Sequence, residues 1–135
     1  MLRFISGLFI ILHGLVHLLY FGHSAGYFEL EAGMTWPDGA WALSKFLEHG
    51  TVRVLASAAL ILTATTFAAA GMGVWLRQAW WRPVALAAAA FSSVLYLLFW
   101  NGAFRRLPNQ GLIALLINIA IWIAVYIIRP AGAAS

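Results

Sequence analysis

The sequence has no cysteine, which excludes disulfides, thiolate metal sites and cysteine nucleophiles. It is also poor in charge. Of its 135 residues 9% are charged and four are acidic, where water-soluble chains average about a quarter charged. No acid falls inside a long apolar stretch, which argues against proton-coupled transport, because such transporters place carboxylates within the membrane. A glycine-rich phosphate loop, a dinucleotide fingerprint and a nucleophile elbow are all missing, so energy-driven pumping by this chain alone is not expected.

What remains is apolar. Hydrophobic residues make up 64% of the chain and the mean hydropathy is +0.90, leaving too little polar surface to coat a soluble globule. A spanning helix needs roughly 20 apolar residues. Four apolar segments meet or approach that length, at about 4–22, 52–76, 83–104 and 111–128, and with their turns they use up residues 1–135 as one domain. Backbone polar groups in a bilayer must be satisfied within each segment, so the expected fold is all-α, an integral membrane four-helix bundle. The first segment has the positive start of a signal peptide but no small-residue cleavage pattern after Tyr20, and reads as a retained helix.

The connections differ in kind. Arg77 to Arg82 carries two arginines and two tryptophans before Pro83, which suits an interfacial hairpin. Asn101 to Gln110 holds Arg105-Arg106, Pro108 and Asn109, again turn chemistry with a basic pair at headgroup depth, and Arg129-Pro130 closes the last segment. The first connection, His23 to Gly50, contains all four acids (Glu29, Glu31, Asp38 and Glu48) and five aromatics. There Pro37-Asp38 followed by Trp41, Leu43, Lys45, Phe46 and Leu47 predicts a short amphipathic helix at the membrane surface.

Seven arginines and one lysine lie between or just outside the apolar runs, which suits anionic headgroups and topology control rather than nucleic acid. Arg3, Arg77, Arg82 and Arg129 fall on the side of the termini, and Lys45, Arg53, Arg105 and Arg106 on the other. The N-terminal amine tips the balance toward cytoplasmic termini.

Candidate chemistry concentrates on helix one. At 3.6 residues per turn Ser6, His13, His17, Tyr20 and Ser24 share one face, a polar stripe that cannot face lipid cheaply. The i, i+4 spacing of His13 and His17 fits one transition-metal ion if further ligands come from His23, Glu48 and His49, whereas haem would need His13 or His17 to face His49. Alternatively the imidazoles bond to carbonyls and hydroxyls inside the bundle, or hold a quinone or a lipid headgroup. Tyr96, Asn101 and Asn118 are further polar groups near helices three and four, and Arg53 at the mouth of helix two suits an anionic contact. Low-bulk runs such as Ala56 to Ala59 and Ala68 to Gly73 allow close helix approach, as does Gly14.

The start Leu2-Arg3 with Gly7-Leu8-Phe9 and His13-Gly14, then a long aromatic loop, a small-residue second helix and a basic turn, resembles the DoxX-like group of small bacterial membrane proteins. The resemblance implies a four-helix bundle in a bacterial cytoplasmic membrane, some relatives being subunits of quinone-linked oxidoreductases. The functional expectation is a non-enzymatic accessory subunit or a lipid- or quinone-binding protein, with a polar cleft lined by helix one at His13, His17, Tyr20, Arg53, Tyr96 and Asn118. Its partners are expected to be the bilayer and a membrane protein or a second copy. The alternative is a metal-dependent or redox enzyme centred on His13, His17, Glu48 and His49.

Overall fold

The computed structural model describes residues 1–29, 36–37, 40–100 and 112–127, without the side chains of His49, Tyr126 and Ile127. Within them the chain forms α1 (Leu2–Ser24), a 3-10 turn (Leu43–Lys45), α2 (His49–Trp75), α3 (Trp81–Phe99) and α4 (Leu112–Ile127), with no strand among the described residues. The all-α expectation holds. Three helices, α1 to α3, are long and apolar enough to cross a membrane, and α4 is a shorter apolar helix of 16 residues. The chain is a membrane protein. The expected turn at Asn101 to Gln110, the Arg129-Pro130 stop and the acids Glu31 and Asp38 lie outside the described residues.

Chain order sets the packing: α1 lies on α2, α2 on α3 and α3 on α4. The first pair is antiparallel and close because glycines remove the side chains where the backbones cross. A Cβ on Gly7 would stand 2.9 Å from the Gly71 carbonyl oxygen, and one on Gly71 would stand 2.7 Å from that of Gly7. Gly14 is similarly confined, its notional Cβ 2.8 Å from Phe67 Cβ and 3.1 Å from the Ala64 oxygen. At the end of this hairpin Phe4 stacks on Trp75, whose indole donates to the Phe4 carbonyl at 3.1 Å.

The helix ends are closed by the backbone. After α1, Gly26 (φ 84°) lets the amides of Gly26 and Tyr27 reach the carbonyls of His23 and Gly22. After α2 the same pairing recurs with Arg77 at φ 58°, a left-handed position held by a residue with a side chain. Pro83 sits in the first turn of α3, where a missing N–H costs little. That helix stops at Phe99 rather than continuing to 104, because Trp100 turns extended and gives its carbonyl to the Trp41 amide at 2.7 Å.

The same clasp explains a correction. Residues 40–48 hold a three-residue 3-10 turn in place of the expected amphipathic helix. Trp41 is fastened to the end of α3 by its amide and by its indole, which donates to the Leu97 carbonyl at 2.6 Å, while Ala40 is buried and Glu48 already caps α2. Too few residues are left between those anchors for an independent helix.

Two apolar clusters fill the interior. One, at the loop end, gathers Trp36, Val52, Ala56, Leu60, Leu95, Tyr96, Phe99 and Ala114; the other gathers Ile10, Phe67, Ala70, Val74, Ala85, Ala88, Ala89 and Ile121. Between them every helix contributes polar groups near its middle: His13 and His17 from α1, Thr63 from α2, Ser92 from α3 and Asn118 from α4, all buried. The fold therefore places a polar layer between two apolar ones.

Candidate functional site: a buried histidine, serine and asparagine network

The polar layer is wired in one direction. A backbone carbonyl only accepts, so the 3.0 Å contact between His17 Nδ1 and the His13 carbonyl makes Nδ1 a donor and leaves Nε2 with a lone pair. Ser92 Oγ, 2.6 Å from that Nε2, donates its proton to it. Asn118 Nδ2 in turn donates to Ser92 Oγ at 2.9 Å and to Ser93 Oγ at 3.2 Å, turning its Oδ1 toward His13 Nε2, which donates to it at 2.8 Å. The circuit thus runs His13, Asn118, Ser92, His17 and back to the His13 backbone. Its links include an amide and a carbonyl, which do not pass protons readily, so it orients groups and is no through-going proton wire.

Aromatic rings frame this circuit. His13 meets the edge of Phe67 at 4.8 Å between centroids and His17 at 5.2 Å; His17 lies 5.5 Å from Tyr96, which lies 5.1 Å from Tyr20. Tyr20 and Tyr96 both adjoin Trp36, at 5.2 and 6.2 Å, so the first loop sends one indole into the end of the bundle. Along this column three buried polar atoms have no hydrogen-bond partner among the described residues: His13 Nδ1, Tyr96 Oη and Trp36 Nε1. Such orphans are costly in an apolar interior, on the order of 1–3 kcal/mol each.

Of the residues singled out from sequence, the structure brings His13, His17, Tyr20, Tyr96 and Asn118 together. Arg53 is exposed on the second turn of α2, where its carbonyl accepts from Ser24 Oγ at 3.2 Å. Ser24 and Ser57 complete a smaller polar contact at that end, and Ser6 is half-buried at the other. The proposed metal set of His13, His17, Glu48 and His49 is not brought together. Ser24, about 10 Å along α1 from His17 by helical rise, meets Arg53, and His49 begins α2 about 6 Å further out, with Glu48 exposed beyond it. No group of three or more His, Asp or Glu side chains suited to a metal ion occurs among the described residues. Sequence reasoning missed Ser92 and Trp36. Ser92 stands one turn before Tyr96 on an alanine-rich helix, a spacing that puts both on one face and would have marked it.

The seam between α1 and α4 is thin. These helices make no extended packing contact among the described residues, and the His13–Asn118 bond bridges them. Comparison with family models, with curated proteins and with solved structures finds no match.

Proposed function

We propose that this is a four-span protein of a bacterial cytoplasmic membrane, with both termini cytoplasmic, that binds an apolar molecule carrying a carbonyl group. A quinone and a lipid ester share that chemistry. The observation that supports the reading is the pair of orphaned donors, Tyr96 Oη and Trp36 Nε1, on rings 6.2 Å apart beside the histidine network. A carbonyl oxygen accepts from hydroxyl and indole N–H alike, and its hydrocarbon body would lie among Leu60, Leu95 and the lipid-facing seam. The reading asks for no chemical step, which suits an accessory protein beside a membrane partner or a second copy. A DoxX-like bundle would have the same spans.

Gentle solubilisation followed by lipid extraction and mass spectrometry tests this. One quinone or one lipid class is expected near one per chain, reduced several-fold in Tyr96→Phe, which deletes the donor and keeps the ring. A lipid profile matching that of the bulk membrane, unchanged by the substitution, would contradict it.

A further inference from the structure

The histidine network contains a pairing that binding does not require. We infer that Ser92 and His17 form a nucleophile and general base for acyl chemistry on a lipid-borne ester, resting on the proposal that a carbonyl-bearing apolar molecule enters beside them. An activated serine needs three things: a base within about 2.6–3.2 Å of its hydroxyl, a third group fixing the base's tautomer, and a donor for developing negative charge. Ser92 Oγ lies 2.6 Å from His17 Nε2. The His13 carbonyl holds the proton on Nδ1, so the nitrogen facing Ser92 is the basic one. Asn118 Nδ2 directs its N–H groups at Ser92 Oγ (2.9 Å) and Ser93 Oγ (3.2 Å); the one on Ser92 would pass to the adjoining oxyanion as Oγ bonds to carbon, and His13 holds the amide in that orientation.

The Ser92 hydroxyl had an alternative, because a serine in a helix can be satisfied by its own backbone. Ser93 shows that alternative, donating to the Ala89 carbonyl at 2.8 Å. Ser92 spends its proton on the imidazole instead.

The step balances with water as the only co-reactant. Ser92 Oγ bonds to the ester carbonyl carbon as His17 Nε2 takes the hydroxyl proton, and Asn118 Nδ2–H steadies the oxyanion. The carbon–alkoxide bond then breaks and the departing alcohol takes the proton from His17. Water attacks the acyl-serine with His17 again accepting a proton, releasing a carboxylic acid and restoring Ser92. Ser92 is fully buried, so the ester must arrive from the bilayer by parting the α1–α4 seam, where the His13–Asn118 bond is the bridge.

The test is a long-chain alkyl fluorophosphonate, a serine-directed probe that partitions into bilayers, applied to the full chain in nanodiscs and read by peptide mass spectrometry. Phosphonylation of Ser92 is expected at a rate at least about 100-fold above that of the same chain denatured in dodecyl sulfate, the scale of general-base assistance. His17→Phe should remove that advantage while circular dichroism stays helical. Should that variant unfold, the folded-to-denatured rate ratio of the unaltered chain decides alone. Absence of a Ser92 adduct on the folded chain, or equal rates folded and denatured, would overturn the assignment. Co-purifying lipid with an inert Ser92 would leave binding standing and remove catalysis; a Ser92 adduct without co-purifying lipid would do the reverse.

Discussion

Replacing Asn118 by leucine is the most informative single change, because the side chains are similar in size while every polar link of α4 to the network is lost. Three hydrogen bonds disappear, to His13, Ser92 and Ser93 at 2.8, 2.9 and 3.2 Å. Interhelical hydrogen bonds in membranes average about 0.6 kcal/mol, so three amount to roughly 2 kcal/mol. The abandoned His13 N–H adds a desolvation cost of about 1–3 kcal/mol, part of which the buried leucine offsets. The net loss should be about 2–3 kcal/mol, measured by reversible unfolding in mixed micelles followed by tryptophan fluorescence. A double-mutant cycle with His13→Phe should give a coupling of about 1 kcal/mol, since the two residues share one bond. Stability of Asn118→Leu within about 0.5 kcal/mol of the unaltered chain would refute the network as a source of packing specificity.

Three further outcomes follow from backbone and topology. Gly14→Leu should destabilise by more than 2 kcal/mol, because its Cβ would meet Phe67 and the Ala64 carbonyl, whereas Ala58→Leu on the exposed face of α2 should change stability little; equal melting would contradict the close crossing. Arg77→Gly should raise stability by about 1 kcal/mol in the same unfolding assay, by relieving the left-handed backbone at φ 58°, and a loss would show that the arginine side chain outweighs the strain. Reporter fusions at Arg77 and Ser135 should report one side of the membrane and a fusion near Trp36 the other; Arg77 and Ser135 on opposite sides would defeat four spans.

Much of the fold was legible because apolar length and turn chemistry are local. The apolar helices, the basic hairpin from Arg77 to Arg82 and the inward polar stripe of α1 all follow from periodicity and composition. The stripe foretold buried histidines, and Asn118 stood out as a lone amide in an apolar helix. What local reading could not supply was register across helices. Whether Asn118 meets His13 or Tyr96 depends on how α4 slides against α1, and no spacing within either segment encodes that. Ser92 was hidden for the same reason, since a serine in an alanine-rich helix ordinarily bonds to its own backbone, as Ser93 does. The metal set is held apart because Glu48 and His49 stay at the loop end of α2, one turn beyond the Ser24–Arg53 contact and without dipping toward the middle of α1, where His13 and His17 lie. The amphipathic helix failed because Trp41 has tertiary partners on α3 that override local propensity.

Histidine tautomers test the central claim most directly, since the network's direction rests on them. In the folded protein with ring-labelled histidine, nitrogen-15 resonances should show His17 protonated at Nδ1 and accepting at Nε2, and His13 protonated at Nε2 with a free lone pair at Nδ1. The His17 Nε2 resonance should shift in Ser92→Ala, and that of His13 Nε2 in Asn118→Leu. A spectrum with His17 protonated at Nε2, or with both rings indifferent to these substitutions, would contradict the account.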